Sequence, residues 1–276
     1  MTPVLLVSHG APTVVMEPDA PFGAALRAFG ERVRPAAIAI VSAHWQTMSP
    51  SQVGAEHSPT RDGRMPEVRV TGAARPPLIY DFGGFPDEMY RMTYAAPGAP
   101  ELAREIVDLL AGAHAVDDVP RWAAALDEAR GWDHGAWVPL RLAYPAADVP
   151  VVQVSLPTAA PTALLAMGRA LASLRADDVL VIGSGTVVHN LGAIGVDAPW
   201  AHAFDAWFAD VIARHDLQEL ADWRTNAPMA LRAHPTSEHF DPFLVAAGAT
   251  EAGEPVTVLH DEIAFGSLSM RTFSVG

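Results

Sequence analysis

Five short runs of the chain are apolar at nearly every position: residues 3–7 (Pro-Val-Leu-Leu-Val), 37–41 (Ala-Ile-Ala-Ile-Val), 149–155 (Val-Pro-Val-Val-Gln-Val-Ser), 179–182 (Val-Leu-Val-Ile) and 255–259 (Pro-Val-Thr-Val-Leu). Runs of this kind predict strands covered on both faces. A sixth run, 267–275, alternates more and predicts an edge strand. Between them, residues 21–33, 100–110, 161–174 and 200–220 carry apolar side chains at three- and four-residue spacing, the period of a helix. The first three open on proline, whose missing N–H is harmless in a first helical turn. In 161–174, Leu164, Leu165, Met167, Leu171 and Leu174 form one stripe that reads as a core face. Strands alternating with helices predict an α/β domain with a largely parallel sheet. Two stretches, 46–77 and 223–234, lack periodicity and are expected to be irregular.

Composition narrows the function. The chain has 276 residues, half of them hydrophobic, enough for one large domain. A formal net charge of -14, with no Lys/Arg cluster, argues against nucleic-acid binding. No apolar stretch approaches the roughly 20 residues needed to span a bilayer. The uncharged, briefly apolar start does not read as a signal peptide, so a cytoplasmic location and no membrane partner are expected. Cysteine is absent. Disulfides and thiolate chemistry are thereby excluded, and a transition-metal site must be built from His, Asp and Glu.

Eleven histidines are present, and the position of four of them is informative. His9, His44 and His189 fall at, or a few residues beyond, the C-terminal ends of predicted strands. In open α/β sheets ligands bind in the crevice outside those ends. A parallel sheet would bring these imidazoles to one edge, where neutral His is a common ligand for Zn, Fe, Cu and Ni. Glu238-His239, before a short helical pattern, supplies a further candidate from a loop. His57, His114, His202, His215 and His260 lack such context and read as solvated or structural, while His234 lies too near Glu238 and His239 to set aside.

Other motifs carry weaker signals. Ile-Gly-Ser-Gly-Thr (182–186) matches neither the G-x-S-x-G nucleophile elbow nor the full G-x-G-x-x-G fingerprint. Asp-Phe-Gly-Gly-Phe-Pro (81–86) can turn tightly at its glycines and offers two aromatic rings to a flat ligand. In Gly-Trp-Asp-His-Gly (131–135), His134 can donate to an anionic ligand, or simply start a helix capped by Asp133.

In order along the chain stand Ser-His-Gly-Ala-Pro (8–12), Ser-Ala-His-Trp (42–45), Tyr-Asp-Phe-Gly-Gly-Phe-Pro (80–86), Tyr-Ala-Ala-Pro-Gly (94–98), Gly-Trp-Asp-His-Gly-Ala-Trp (131–137), Gly-Ser-Gly-Thr-Val-Val-His-Asn (183–190), Pro-Thr-Ser-Glu-His-Phe (235–240) and Gly-Ser-Leu-Ser-Met (266–270). As a set they resemble the class III extradiol ring-cleavage dioxygenases of the DOPA 4,5-dioxygenase type. The resemblance implies a single α/β domain over residues 1–276, with a central, largely parallel mixed sheet flanked by helices on both faces. It implies a non-haem Fe(II) site, with Zn(II) able to replace iron in purified protein. It also implies a catechol substrate opened by O2 beside its two hydroxyls. By position, His9, His44 and His239 look like metal ligands. Glu238 is the alternative third ligand, since protocatechuate-type members use a glutamate. His189 looks like the acid/base over the substrate or a fourth ligand, and His134 like a substrate-binding or supporting histidine. Trp45, Phe82 and Phe85 are expected to wall the ring. The long 46–77 segment leaves the substrate's identity open, and a monomer or small homo-oligomer is expected. The rival readings are a zinc-dependent hydrolase on the same scaffold and a metal- or ligand-binding protein without turnover.

Overall fold

The computed structural model describes residues 1–47, 66–112, 122–195 and 198–276. Its strands are β1 (Val4–Ser8), β2 (Ala37–Thr47), β3 (Glu67–Thr71), β4 (Ala123–Asp127), β5 (Val151–Pro157), β6 (Val179–Gly185), β7 (Val256–His260), β8 (Ile263–Ala264), β9 (Leu268–Ser269) and β10 (Thr272–Val275). The helices are α1 (Pro21–Arg32), α2 (Pro100–Gly112), α3 (His134–Ala143), α4 (Pro161–Leu171), α5 (Pro199–Arg214), α6 (Leu217–Ala221), α7 (Trp223–Asn226), α8 (Ala230–Ala233) and α9 (Asp241–Gly248). Each of the five apolar runs becomes a strand. Proline occupies the first helical turn of α1, α4 and α5, and α2 opens on Pro100.

The main sheet runs in the order β4-β3-β5-β2-β6-β1-β10-β7. Its centre, β5-β2-β6-β1, is parallel. On one side β10 pairs antiparallel with β1 and with β7, and on the other β3 pairs antiparallel with β5. Alternation along the central strands divides their side chains between two cores. Leu5, Val7, Ile38, Ile40, Leu180 and Ile182 pack with α1 and α3 side chains such as Leu26, Phe29, Trp137 and Leu140. Val4, Leu6, Ala39, Val41, Val179 and Val181 pack with Ile106, Leu164, Phe208 and Phe243 from α2, α4, α5 and α9. Burial on both faces explains why these strands are apolar throughout. The fold is the expected α/β class, with helices on both faces of a largely parallel mixed sheet.

Several sequence expectations are corrected. The alternating run 267–275 is not an edge strand: β10 lies between β1 and β7, and its hydroxyl-bearing Thr272 and Ser274 are buried. The edge is β7, which exposes Val258. The stretch 46–77 is not wholly irregular, because β2 continues through Gln46 and Thr47 and β3 begins at Glu67. Residues 48–65, with His57, lie outside the described residues, as does His114. The helix expected over 200–220 breaks at His215, which adopts a left-handed φ of 53° and closes α5. Asp216 then caps α6 by accepting from the Glu219 N–H. The stretch 223–234 contains α7 and α8, each of four residues.

Candidate metal centre

The parallel centre of the sheet places Ser8 opposite Gly185 and Ser42 opposite Ser184 in register, so the C-terminal ends of β1, β2 and β6 are level. His9 follows β1 directly, and its backbone N–H donates to the Gly185 carbonyl at 2.9 Å. His44 lies within β2 rather than beyond it. It does stand past Ser42, the last residue of β2 paired with β6, where the register with β5 becomes irregular. His239 reaches the same edge from the turn before α9, where its carbonyl accepts from Thr186 N–H at 2.9 Å. Gly185 makes that approach possible: a Cβ there would sit 2.1 Å from the His239 carbonyl oxygen. The ligand atoms of His9, His44 and His239 all lie within 4.8 Å of one another.

The Nδ1 atom of each of the three imidazoles has an oxygen beside it. His9 Nδ1 is 3.0 Å from Ser184 Oγ, His44 Nδ1 is 3.3 Å from Asp81 Oδ2, and His239 Nδ1 is 3.2 Å from Glu238 Oε1. In each case the Nδ1 side faces an oxygen, leaving Nε2 for the interior of the cluster. His9 Nε2 and His44 Nε2 are 3.2 Å apart. Burial, then the neighbouring His44, holds His9 well below its usual pKa. Burial, then His134, lowers His44 to about 3. Both are neutral at pH 7. Without an ion the contact requires that one Nε2 carry a hydrogen and donate to the other, whereas a shared cation satisfies both Nε2 lone pairs at once. Two ligands each about 2.0–2.1 Å from one ion at tetrahedral angles are separated by about 3.3 Å. The donor set therefore fits a divalent transition metal.

The carboxylates that hold Nδ1 are ionised. Burial opposes the charge on Glu238, but its hydrogen bond with His239 outweighs this and lowers it to about 2. Burial opposes the charge on Asp81 as well, and the contacts with His134 again win, keeping it below its usual range. Asp81 spans two histidines. Its Oδ1 accepts from the His134 backbone N–H at 2.9 Å, while His134 Nδ1 lies 3.0 Å away, off the line of a hydrogen bond. His134 is the first residue of α3, with Asp133 as the expected cap: its carboxylate accepts from Ala136 N–H. Asp133 is fully buried, which raises its pKa against the hydrogen bonds donated by Ser42 and Gln153. Ser42 donates to Oδ1 at 2.7 Å and the Gln153 amide to Oδ2.

His189 stacks flat on His239, with ring centroids 3.6 Å apart and planes 8° from parallel. Burial, then His239, lowers its pKa to about 4. Its ligand atom groups with those of Glu238 and His239, whereas His9 and His44 group with His239. Phe82 stands edge-on to His134 at 5.6 Å, and Phe85 edge-on to Phe82 at 5.4 Å. Trp45 differs: the Arg130 guanidinium lies 5.1 Å over its ring, and Arg130 Nη2 donates to the His44 carbonyl at 3.3 Å. His234 is buried, with Nε2 2.8 Å from the Val187 carbonyl, His215 lies 3.1 Å from Thr250 Oγ1, and His260 lies 3.2 Å from Glu262. The sequence reading gave no role to Asp81, Ser184 or Gln153. Only the position of Asp81 beside Phe82 offered a signal, since a pocket-lining string that carries a carboxylate can reach a histidine.

Among known proteins, the family described as the catalytic LigB subunit of aromatic ring-opening dioxygenase matches residues 2–270. A 4,5-DOPA dioxygenase extradiol from Beta vulgaris is 37% identical over 276 residues, covering 97% of this chain and 94% of the relative. One of the same description from Escherichia coli K12 is 34% identical, covering 99% and 94%. A crystal structure of an uncharacterized protein from Escherichia coli K12 superposes with a TM-score of 0.71 at 29% identity, covering both chains fully.

Proposed function

The chain belongs to the family of catalytic LigB subunits of aromatic ring-opening dioxygenases and is an extradiol ring-cleavage dioxygenase, and on that premise we propose that it opens a catechol, DOPA-like or related, with Fe(II) and O2. The observation that carries this reading is the pair of neutral imidazoles, His9 and His44, whose Nε2 atoms face each other at 3.2 Å. His239 completes the ligand set, with Glu238 holding its Nδ1 rather than binding the ion. Bound there, the ion supplies the Lewis acidity and redox capacity that bring catechol and O2 to one place.

The protein's own groups do the rest. His189, neutral at pH 7 because its pKa lies near 4, takes a proton from a catechol hydroxyl and returns it later. Its stack on His239 keeps that proton transfer beside the ligand set. His134, anchored by its backbone N–H on Asp81, donates to substrate oxygen. Phe82 and Phe85 form the wall against the ring, their edge-on packing fixing its plane. Trp45 supports the wall by holding Arg130 against the His44 carbonyl.

The test is oxygen uptake. Metal-free protein is loaded with Fe(II) without oxygen, given simple catechols or dihydroxyphenyl amino acids, then exposed to O2. The expected result is one O2 consumed per catechol, with a yellow ring-opened product. Protein that binds Fe(II) yet consumes no O2 with any catechol would overturn the reading, and turnover persisting without O2 would favour hydrolysis.

A further inference from the structure

One link of the histidine network is set from outside the cluster. Pro139 lies inside α3, and proline has no backbone N–H. In an α-helix the carbonyl of Gly135 would accept from position 139, so here it has no such partner. The Ser184 hydroxyl fills it at 2.5 Å. A serine hydroxyl has one proton to give and lone pairs to accept with. A carbonyl can only accept, so the Ser184 proton goes to Gly135. Ser184 Oγ is then an acceptor towards its other buried neighbour, His9 Nδ1 at 3.0 Å.

We propose that Ser184 and Pro139 together are positioning residues that hold neutral His9 in its Nδ1–H tautomer, and so reserve Nε2 for the metal. The inference rests on the reading of His9 as a ligand. With an ordinary residue at 139, a helix N–H shares the two lone pairs of the Gly135 carbonyl and weakens its hold on the Ser184 proton. That proton can then turn part of the time towards His9 Nδ1, which favours the Nε2–H tautomer and places a hydrogen where the ion binds. The serine sits in β6 and the proline in α3, the helix packed on the face of the sheet that Ser184 shares with Leu180 and Ile182, so the two elements must dock correctly before His9 is configured. Gly135 allows this docking. A Cβ on it would lie 2.4 Å from Ser42 Oγ and 3.0 Å from His44 Cδ2.

The experiment is long-range 1H–15N NMR of the imidazoles in metal-free protein, paired with Zn(II) affinity from chelator competition. It compares the wild type, Ser184→Ala and Pro139→Ala. The wild type should show His9 as Nδ1–H, with its resonances moved by Zn(II). Both variants should show a mixed tautomer and weaken Zn(II) binding by about tenfold or more. Pro139→Ala should do so with a Tm at or above the wild type, since it restores a helix hydrogen bond. An Nε2–H pattern for His9 in the wild type would overturn the inference, even if neither variant folds. So would an unchanged tautomer and affinity in both variants. Zn(II) binding that leaves His9 resonances unmoved would instead overturn the ligand reading, and this inference with it.

Discussion

Asp81 is one carboxylate with two histidines to hold, and its substitution separates orientation from ligation. Asp81→Asn keeps the size but loses the charge that fixes His44 Nδ1–H. Zn(II) affinity by chelator competition should fall by about 10- to 100-fold with unchanged far-UV circular dichroism. His189→Ala should lower turnover by about 100- to 10,000-fold, while metal content stays at the wild-type level. Loss of the metal in that variant would make His189 a ligand rather than an acid/base. His9, His44 and His189 were legible as candidates because apolar runs end at or just before them, and strand ends are where open sheets bind ligands, whereas His239 stood out only through its loop motif beside Glu238. Asp81 was not, because nothing in the spacing of Tyr-Asp-Phe-Gly-Gly-Phe-Pro says which strand it folds against. Ser184 was visible only as a failed nucleophile elbow. Its role depends on a proline 45 positions away in the sequence, on another element.

The elements that place these residues were read unevenly. Continuous apolar runs gave β1, β2, β5, β6 and β7. β3 and β4 carry weaker signals: Glu67 and Arg69 interrupt the one, and the other is mostly alanine. Alanine lacks the branched surface that marks a strand, and alternating charge marks a half-exposed one. α4 and α9 cross on Gly168 and Gly248, a contact no periodicity reveals. A Cβ on Gly168 would lie 1.9 Å from the Val245 carbonyl oxygen. Alanine would gain about 1 kcal/mol of helix propensity. The backbone clash outweighs that, because neither helix has a flexible side-chain end to move aside. Gly168→Ala should therefore destabilise the protein by about 1–3 kcal/mol, seen as a lower Tm.

For the whole molecule, the class of fold was legible but the strand order was not, because the pairing of β10 between β1 and β7 is a long-range choice. No helix among the described residues is long and apolar enough to cross a membrane. Stability should depend on pH with a definite sign. His234, lowered to about 3 chiefly by burial, stays neutral in the folded protein but takes a proton once unfolded, where its pKa is about 6.5. His9, His44 and His189 behave likewise in metal-free protein. Stability from these groups is complete above about pH 6.5 and falls as the pH drops below it, down to about pH 4 for His189 and about pH 3 for His44 and His234, each contributing at most about 1.4 kcal/mol per pH unit. Chemical denaturation across that range should show the loss in wild type. His234→Gln should show less of it. Removing the metal at pH 7.5 should lower Tm, by the equivalent of about 2.7 kcal/mol where the ion had been at 100 times its Kd. The sheet order also has a consequence for biosynthesis. His9 and Ser184 are 175 residues apart in sequence, and β1 finds its place only between β6 and β10. A nascent chain still missing β6 and the His239 turn holds only two of the three proposed ligands. Long-range parallel pairing of this kind is slow, so on the proposed ligand set metal capture is expected to come late, on a finished polypeptide. Protein expressed without added metal should then be folded by circular dichroism and recover activity when Fe(II) is added without oxygen; protein that stays unfolded until the ion is supplied would contradict this order.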